Sequence, residues 1–137
     1  MVGRVLVAFA AFSLVASVAA AQGQIKNEPI KPVNAGDAKA MFGTYCAPCH
    51  GTDAKGTGPA AKALVKAPAD LTKIAARNNG TFPDVKVKRY IQGLDEVSAH
   101  GSRDMPMWGS LFRELNADTA LIRVQGLNDY IKSLQVK

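Results

Sequence analysis

The sequence predicts an all-α domain of few helices and long loops, wrapped around a group that is not protein. Apolar residues recur with a helical period near both ends of the chain, and no stretch alternates as a half-buried strand would. Between those ends, from Gly51 to Thr81, runs a series of turn signals, "GTGP", "APAD" and "RNNGTFP". A loop region that long is uncommon in a compact domain unless something else organises it. The third observation is the cluster "CAPCH", which holds both cysteines of the chain, Cys46 and Cys49, and puts His50 directly behind the second.

The opening stretch carries one basic residue, Arg4, then an uncharged run from Val5 to Ala21 that ends in small residues. This has the form of a secretory signal peptide, with cleavage expected at the Ala19-Ala20-Ala21 triplet. Residues 1–21 are therefore expected to be removed, and the product to be exported to the periplasm. A run of about 17 residues is at the short limit for spanning a bilayer, so the protein would be membrane-anchored only if the signal were retained. No later segment approaches that length. Residues 22–35, with two prolines and no helical period, read as a flexible lead-in to one domain over residues 36–137.

Within that domain Ala38, Met41, Phe42 and Tyr45 fall at i, i+3, i+4 and i+7, which predicts a helix ending at the cysteines. Gly43 lies inside it, a position best understood if another backbone comes close. A short apolar piece spans Ala60 to Val65. A helix over Asp84–Gln92, using Val85, Arg89 and Tyr90 and closed by Gly93, is expected next. Gly93 to Gly109 reads as another loop. Asn116 can cap a final helix with Asp118 in its first turn and Leu121, Val124, Leu127, Ile131 and Leu134 along one face.

The formal net charge of +6 is unevenly placed. Residues 55–89 carry Lys55, Lys62, Lys66, Lys73, Arg77, Lys86, Lys88 and Arg89 against only Asp70 and Asp84, while the flanking regions are near balance. Such a patch suits nucleic acid or an acidic protein face. The export signal argues against nucleic acid, which leaves an acidic protein face or a merely solvated surface.

Three chemistries compete for the Cys-x-x-Cys-His spacing: a thiol redox pair, half of a zinc site, or covalent haem attachment. A thioredoxin-like pair needs alternating strands and helices, which are absent from the pattern. A zinc site needs about four ligands; His100 would complete a Cys2His2 count, at poor spacing. A disulfide between Cys46 and Cys49 would close too small a loop to stabilise much. Haem attachment accounts for all three residues: thiols add to the vinyl groups and the adjacent imidazole is an axial ligand.

"CAPCHG", followed by "GTGPA" and later by "MPMWG", resembles the class I monohaem bacterial cytochrome c family over essentially all of the chain after the signal. The resemblance implies a cytochrome c-like fold around one covalently attached haem c, with Cys46 and Cys49 carrying the thioethers and His50 as the proximal iron ligand. It implies that Pro59, in the "GTGP" turn, offers its carbonyl to the other ring nitrogen of His50. It also implies a crossing of the first and last helices near Phe42, Gly43 and Tyr130. Met105, immediately before Pro106, is the sixth ligand by the family pattern; Met107 and His100 are the alternatives, Met107 being better suited to packing. Trp108 is expected against the haem, at a propionate or in the core, and Arg89, Arg103 or Lys73 could pair with a propionate.

Histidine and methionine together close the iron coordination, and a thioether favours the ferrous form. The resemblance therefore implies an electron carrier, not an enzyme, with no catalytic residues. Its expected partners are redox proteins of a respiratory or dehydrogenase chain that present an acidic docking surface, and the protein itself is expected as a monomer or weak dimer. Two further readings stand beside it: a gas- or peroxide-binding haem sensor or enzyme with a labile sixth ligand, and the dedicated cytochrome subunit of a periplasmic dehydrogenase.

Overall fold

The computed structural model describes residues 32–95 and 105–136. The expected signal peptide, residues 22–31 of the lead-in, His100 and Arg103 lie outside the described residues. Among the described residues there are helices, turns and loops and no strand, as the periodicity predicts.

Asp37 caps the first helix by accepting the Ala40 N–H at 2.9 Å, which satisfies one of the donors a helix N-terminus leaves open. Helix α1, Ala38–Met41, continues without a break through a π-helical turn, Phe42–Cys46, into α2, Ala47–His50. Met41, Phe42 and Tyr45 are buried as their spacing predicts, together with Cys46 and Ala47. The π turn is marked by the Ala47 N–H reaching back to the Phe42 carbonyl, five residues away, and such turns are frequent at functional sites.

Gly43 corrects an expectation. It is exposed, and a Cβ built on it would meet nothing within 4 Å. The glycine at the crossing of the first and last helices is Gly126, whose Cβ would lie 3.5 Å from the Ala38 Cβ and 3.6 Å from the Met41 Cε. The aromatic part of the expectation is seen: the Phe42 and Tyr130 rings meet at 5.3 Å.

Helix α3 runs Asp84–Gln92 and ends at Gly93, whose φ of 73° supplies the left-handed C-cap. Its buried side chains are Val87 and Ile91, one turn apart, whereas Val85 is 70 % exposed. The cause is the anchoring of its first residue. Asp84 accepts from Asn128 (2.9 Å) and Lys132 (2.9 Å) of the last helix, which turns Val87 and Ile91 inward. These partners, Asn128 first and then Lys132, hold the Asp84 carboxyl below the usual carboxylate range. A depressed folded pKa stabilises fully above the unfolded value and is lost as pH falls through the folded one. The α3–α5 attachment should therefore weaken below about pH 4. Thermal melts from about pH 6 down to about pH 2 should show a flatter acid limb for Asp84→Asn than for wild type; identical limbs would remove Asp84 from the account.

Helix α4, Trp108–Leu115, begins in the last two residues of the expected Gly93–Gly109 loop and runs on toward Asn116. It buries Gly109 and Phe112, and the Trp108 and Phe112 rings stack at 6.2 Å and 24°. Asn116 then accepts the Thr119 N–H at 3.1 Å, capping a 3-10 turn, Ala117–Thr119, that leads into α5, Ala120–Ser133. Val124, Leu127 and Ile131 are buried as expected, but Leu121 is 69 % exposed. Each step of three residues turns the position back by about 60° around a helix, so the two steps from Leu121 to Leu127 add up to about 120°. Leu121 therefore stands on a different face from Leu127.

The core lies where α1, the π turn, α3, α4 and α5 meet. Two polar staples fasten loops to it. Arg123, buried on α5, donates to the Val33 carbonyl at 2.6 Å, and the Val33 N–H donates to the Tyr45 hydroxyl at 3.2 Å. Val33, expected within the flexible lead-in, is thus tied to the core. At the other end Gln135 donates to the Leu71 carbonyl (2.7 Å) and accepts the Ala75 N–H (2.8 Å), while the Val136 N–H reaches the Thr72 carbonyl (3.0 Å). The end of the chain therefore holds the loop-rich middle in place.

Candidate functional site

Cys46, Cys49 and His50 share the turn that closes the π segment and α2. Both cysteines are free thiols, Cys46 buried and Cys49 half-buried. Burial, and secondarily the neighbouring Cys49, pushes the Cys46 thiol up to about 12. Burial therefore favours the neutral form of this thiol in the chain by itself. Among the described residues no three His, Cys, Asp or Glu side chains group as a metal site.

The following loop folds back on this turn through backbone hydrogen bonds. The Gly51 N–H bonds to the Ala47 carbonyl (2.8 Å), the Gly56 N–H to His50 (2.7 Å) and the Gly58 N–H to Cys49 (3.0 Å). Contact at Gly58 is so close that a Cβ there would lie 2.5 Å from the Ala47 carbonyl oxygen and 2.6 Å from the Cys49 carbonyl carbon. The glycines of "GTGP" are thus required by the approach of two backbones.

That fold-back brings a distant carbonyl to the histidine. His50 Nδ1 lies 3.0 Å from the Ala69 carbonyl oxygen. An oxygen of this kind only accepts, so Nδ1 carries the proton and the lone pair of the neutral ring is on Nε2. The carbonyl received by Nδ1 is not that of Pro59. Pro59 is exposed and opens the 3-10 turn Pro59–Ala63, while the acceptor sits ten residues further on. Ala69 is positioned by its neighbour: Asp70 accepts from the Thr72 N–H (2.9 Å) and hydroxyl (2.6 Å), and Arg77 donates to the Asp70 carbonyl (2.7 Å). The Leu71 N–H then closes the loop onto the Ala54 carbonyl at 2.7 Å.

Trp108 joins this region through Tyr45, the residue before Cys46; their rings are 5.5 Å apart. Met105 is half-buried just ahead of α4. Met107 is 48 % exposed and covers Gly93, where a Cβ would fall 2.6 Å from its Cγ, so packing occupies this side chain. Gly109 of "MPMWG" is buried against the end of α3, where a Cβ would meet the Gln92 carbonyl oxygen at 2.7 Å. Of the expected propionate partners, Lys73 faces Asp70 at 3.9 Å and Arg89 is held by Asp95.

The donor set fits haem c: two reduced thiols one turn apart, one of them neutral and set among apolar groups, and an imidazole whose tautomer a backbone carbonyl fixes. Cys46 and Cys49 would hold the macrocycle and His50 its iron. A helical domain with these features on one turn defines a class, the proteins that bind haem covalently at a Cys-x-x-Cys-His turn. The chain belongs to the cytochrome c family, whose model, described as Cytochrome c, matches residues 35–135. No curated protein and no solved structure matches it. Membership carries with it covalently attached haem c, a general role as haem-binding electron carrier, and redox partners. Among the described residues no helix is long and apolar enough to cross a membrane.

Proposed function

We propose that the protein is an exported, periplasmic monohaem cytochrome that carries single electrons between protein partners of a respiratory or dehydrogenase chain, with His50 and Met105 as axial ligands. The observation that carries this reading is the Nδ1–H of His50 held by the Ala69 carbonyl. It keeps the lone pair on Nε2 and raises the basicity of the ring, which is what a permanent axial ligand requires.

Haem c, when bound, supplies a one-electron couple. The residues around it have fixed tasks. Cys46 and Cys49 prevent its loss, and the loop from Gly51 to Gly58 keeps the turn from opening. Met105 is preferred over Met107 because it directly precedes Pro106, as in the family pattern, and because Met107 is engaged with Gly93. A thioether in the sixth position favours the ferrous form and leaves no place for oxygen or peroxide. The protein on this reading is a carrier and has no catalytic residue.

The visible spectrum of protein matured in a host that attaches c-type haem tests the assignment. Wild type and Met107→Ala should show the weak long-wavelength sulfur-to-iron band when ferric, and neither should bind carbon monoxide when ferrous at neutral pH. Met105→Ala should lose the band and gain carbon monoxide binding. Loss of the band in Met107→Ala instead would transfer the ligand to Met107. A wild type that lacks the band and binds carbon monoxide would point to the sensor or enzyme reading.

A further inference from the structure

The eight basic side chains between Lys55 and Arg89 fall into two sets. Lys73 faces Asp70 (3.9 Å), Arg77 donates to the Asp70 carbonyl (2.7 Å), Lys86 lies over the Tyr90 ring (5.8 Å), Lys88 donates to Gln125 (3.1 Å), and Arg89 grips Asp95 (2.9 and 2.8 Å). Each of these charges is used within the fold. Lys55, Lys62 and Lys66 are exposed and have no side-chain partner among the described residues. Between the last two stands Val65, 98 % exposed, the most exposed large apolar side chain among the described residues.

This tip belongs to the loop that clasps the Cys-x-x-Cys-His turn. Lys55 adjoins Gly56, whose N–H holds the His50 carbonyl, and the 3-10 turn Pro59–Ala63 leads from Gly58 straight to Leu64 and Val65. A branched apolar side chain kept wholly in water gains nothing from the fold; burial against a partner would recover its hydrophobic stabilisation. Two cations at its sides specify what surrounds the partner's apolar spot. An anionic membrane fits less well, because an interfacial segment needs a broad apolar helix face, and here a single valine rises beyond a short 3-10 turn.

We propose that Lys55, Lys62, Val65 and Lys66 form the docking face for a redox protein whose surface sets carboxylates around an apolar patch; this rests on the carrier reading above. The charges give encounter rate and salt sensitivity, and the valine gives register. The structurally engaged set, from Lys73 to Arg89, is not part of the proposed face.

A gold electrode coated with a mixed monolayer of carboxylate- and methyl-terminated thiols is the probe, with a purely carboxylate monolayer beside it. The full holoprotein should adsorb on both and show a surface redox wave that weakens with salt. The Lys62→Glu/Lys66→Glu double variant should lose about tenfold in affinity on both surfaces. Val65→Ser should lose about threefold on the mixed surface and nothing on the carboxylate one. Lys86→Glu/Lys88→Glu should stay close to wild type. Equal losses from the two lysine pairs, or indifference of the mixed surface to Val65→Ser, would overturn the proposal. Sedimentation with phosphatidylglycerol vesicles that falls as steeply with Val65→Ser would give the tip to lipid instead. A wild-type protein that exchanges electrons neither with the electrode nor with hexacyanoferrate would defeat the carrier reading itself, whereas active exchange with unresponsive variants would defeat only the docking face.

Discussion

Gly58→Ala is expected to leave little haem attached to the matured protein and to lower its melting temperature by about 15 °C. The added Cβ would strike the Ala47 and Cys49 backbone at 2.5 and 2.6 Å, and backbone cannot rotate aside as a side chain can. The cost of forcing these segments apart is about 3 kcal/mol. The Gly58 N–H to Cys49 hydrogen bond would go with it, and so would the register of the loop that delivers the Ala69 carbonyl to His50. Gly43→Ala is the matched control. Its Cβ meets nothing within 4 Å and the residue is helical, so alanine there should be neutral or stabilise by up to about 1 kcal/mol. Thermal melts and pyridine-haemochrome assays of the two variants decide the matter; similar behaviour of both would mean that the loop does not depend on the approach at Gly58.

The contrast between these two glycines shows what a sequence discloses. A glycine inside a helical period invites a packing explanation, and Gly43 received one, yet close backbone approaches lie at Gly56, Gly58 and Gly109. Composition gives no sign of which glycine faces backbone, because that depends on chains brought together from elsewhere. Helix α3 was legible to the residue because an αL glycine closes it, a local signal. Its inner face was not, since Asp84 is anchored by Asn128 and Lys132 from forty-odd residues away. Helix α4 was within reach: Trp108, Leu111, Phe112 and Leu115 repeat at i, i+3, i+4 and i+7, hidden only because the pattern begins inside "MPMWG".

The same division runs through the site. Cys46, Cys49 and His50 are adjacent in the chain, so their sharing of one turn was evident from spacing. The acceptor for His50 was not, because a backbone carbonyl has no residue type to advertise it and any loop residue can provide one. Asp70 with Thr72, and Gln135 with Leu71 and Ala75, are the signals that could have located it. They form short capping turns and one long-range amide clasp, and only the second requires tertiary structure to be seen. The π turn at Phe42–Cys46 falls in neither group, since hydrogen bonds five residues apart leave no periodic trace in so short a segment.

Phe112→Ala should produce the other large loss, about 3–5 kcal/mol of stability. The ring is fully buried, 5.5 Å from Tyr45 and 6.2 Å from Trp108, and joins α4 to the π turn. Its removal takes away both the transferred apolar area and the contacts that orient two neighbours. Tyr45 matters most among these, because its backbone leads into Cys46 and its hydroxyl receives the Val33 N–H. Hydrogen exchange should therefore quicken at Val33 and along the Cys46 turn in addition to α4, and the unfolding midpoint in denaturant should fall. Phe112→Leu keeps most of the volume and should cost less than about 1.5 kcal/mol, with protection at Val33 largely retained. If Phe112→Ala loosened α4 alone and left the Cys46 turn as protected as in wild type, the aromatic cluster would be a support for the helix bundle and not for the turn that holds Cys46, Cys49 and His50. If protection at both falls together, the core and the site are one cooperative unit, and the aromatic ring of α4 holds the cysteine turn in the shape that the hydrogen bond from the His50 ring to the Ala69 carbonyl requires.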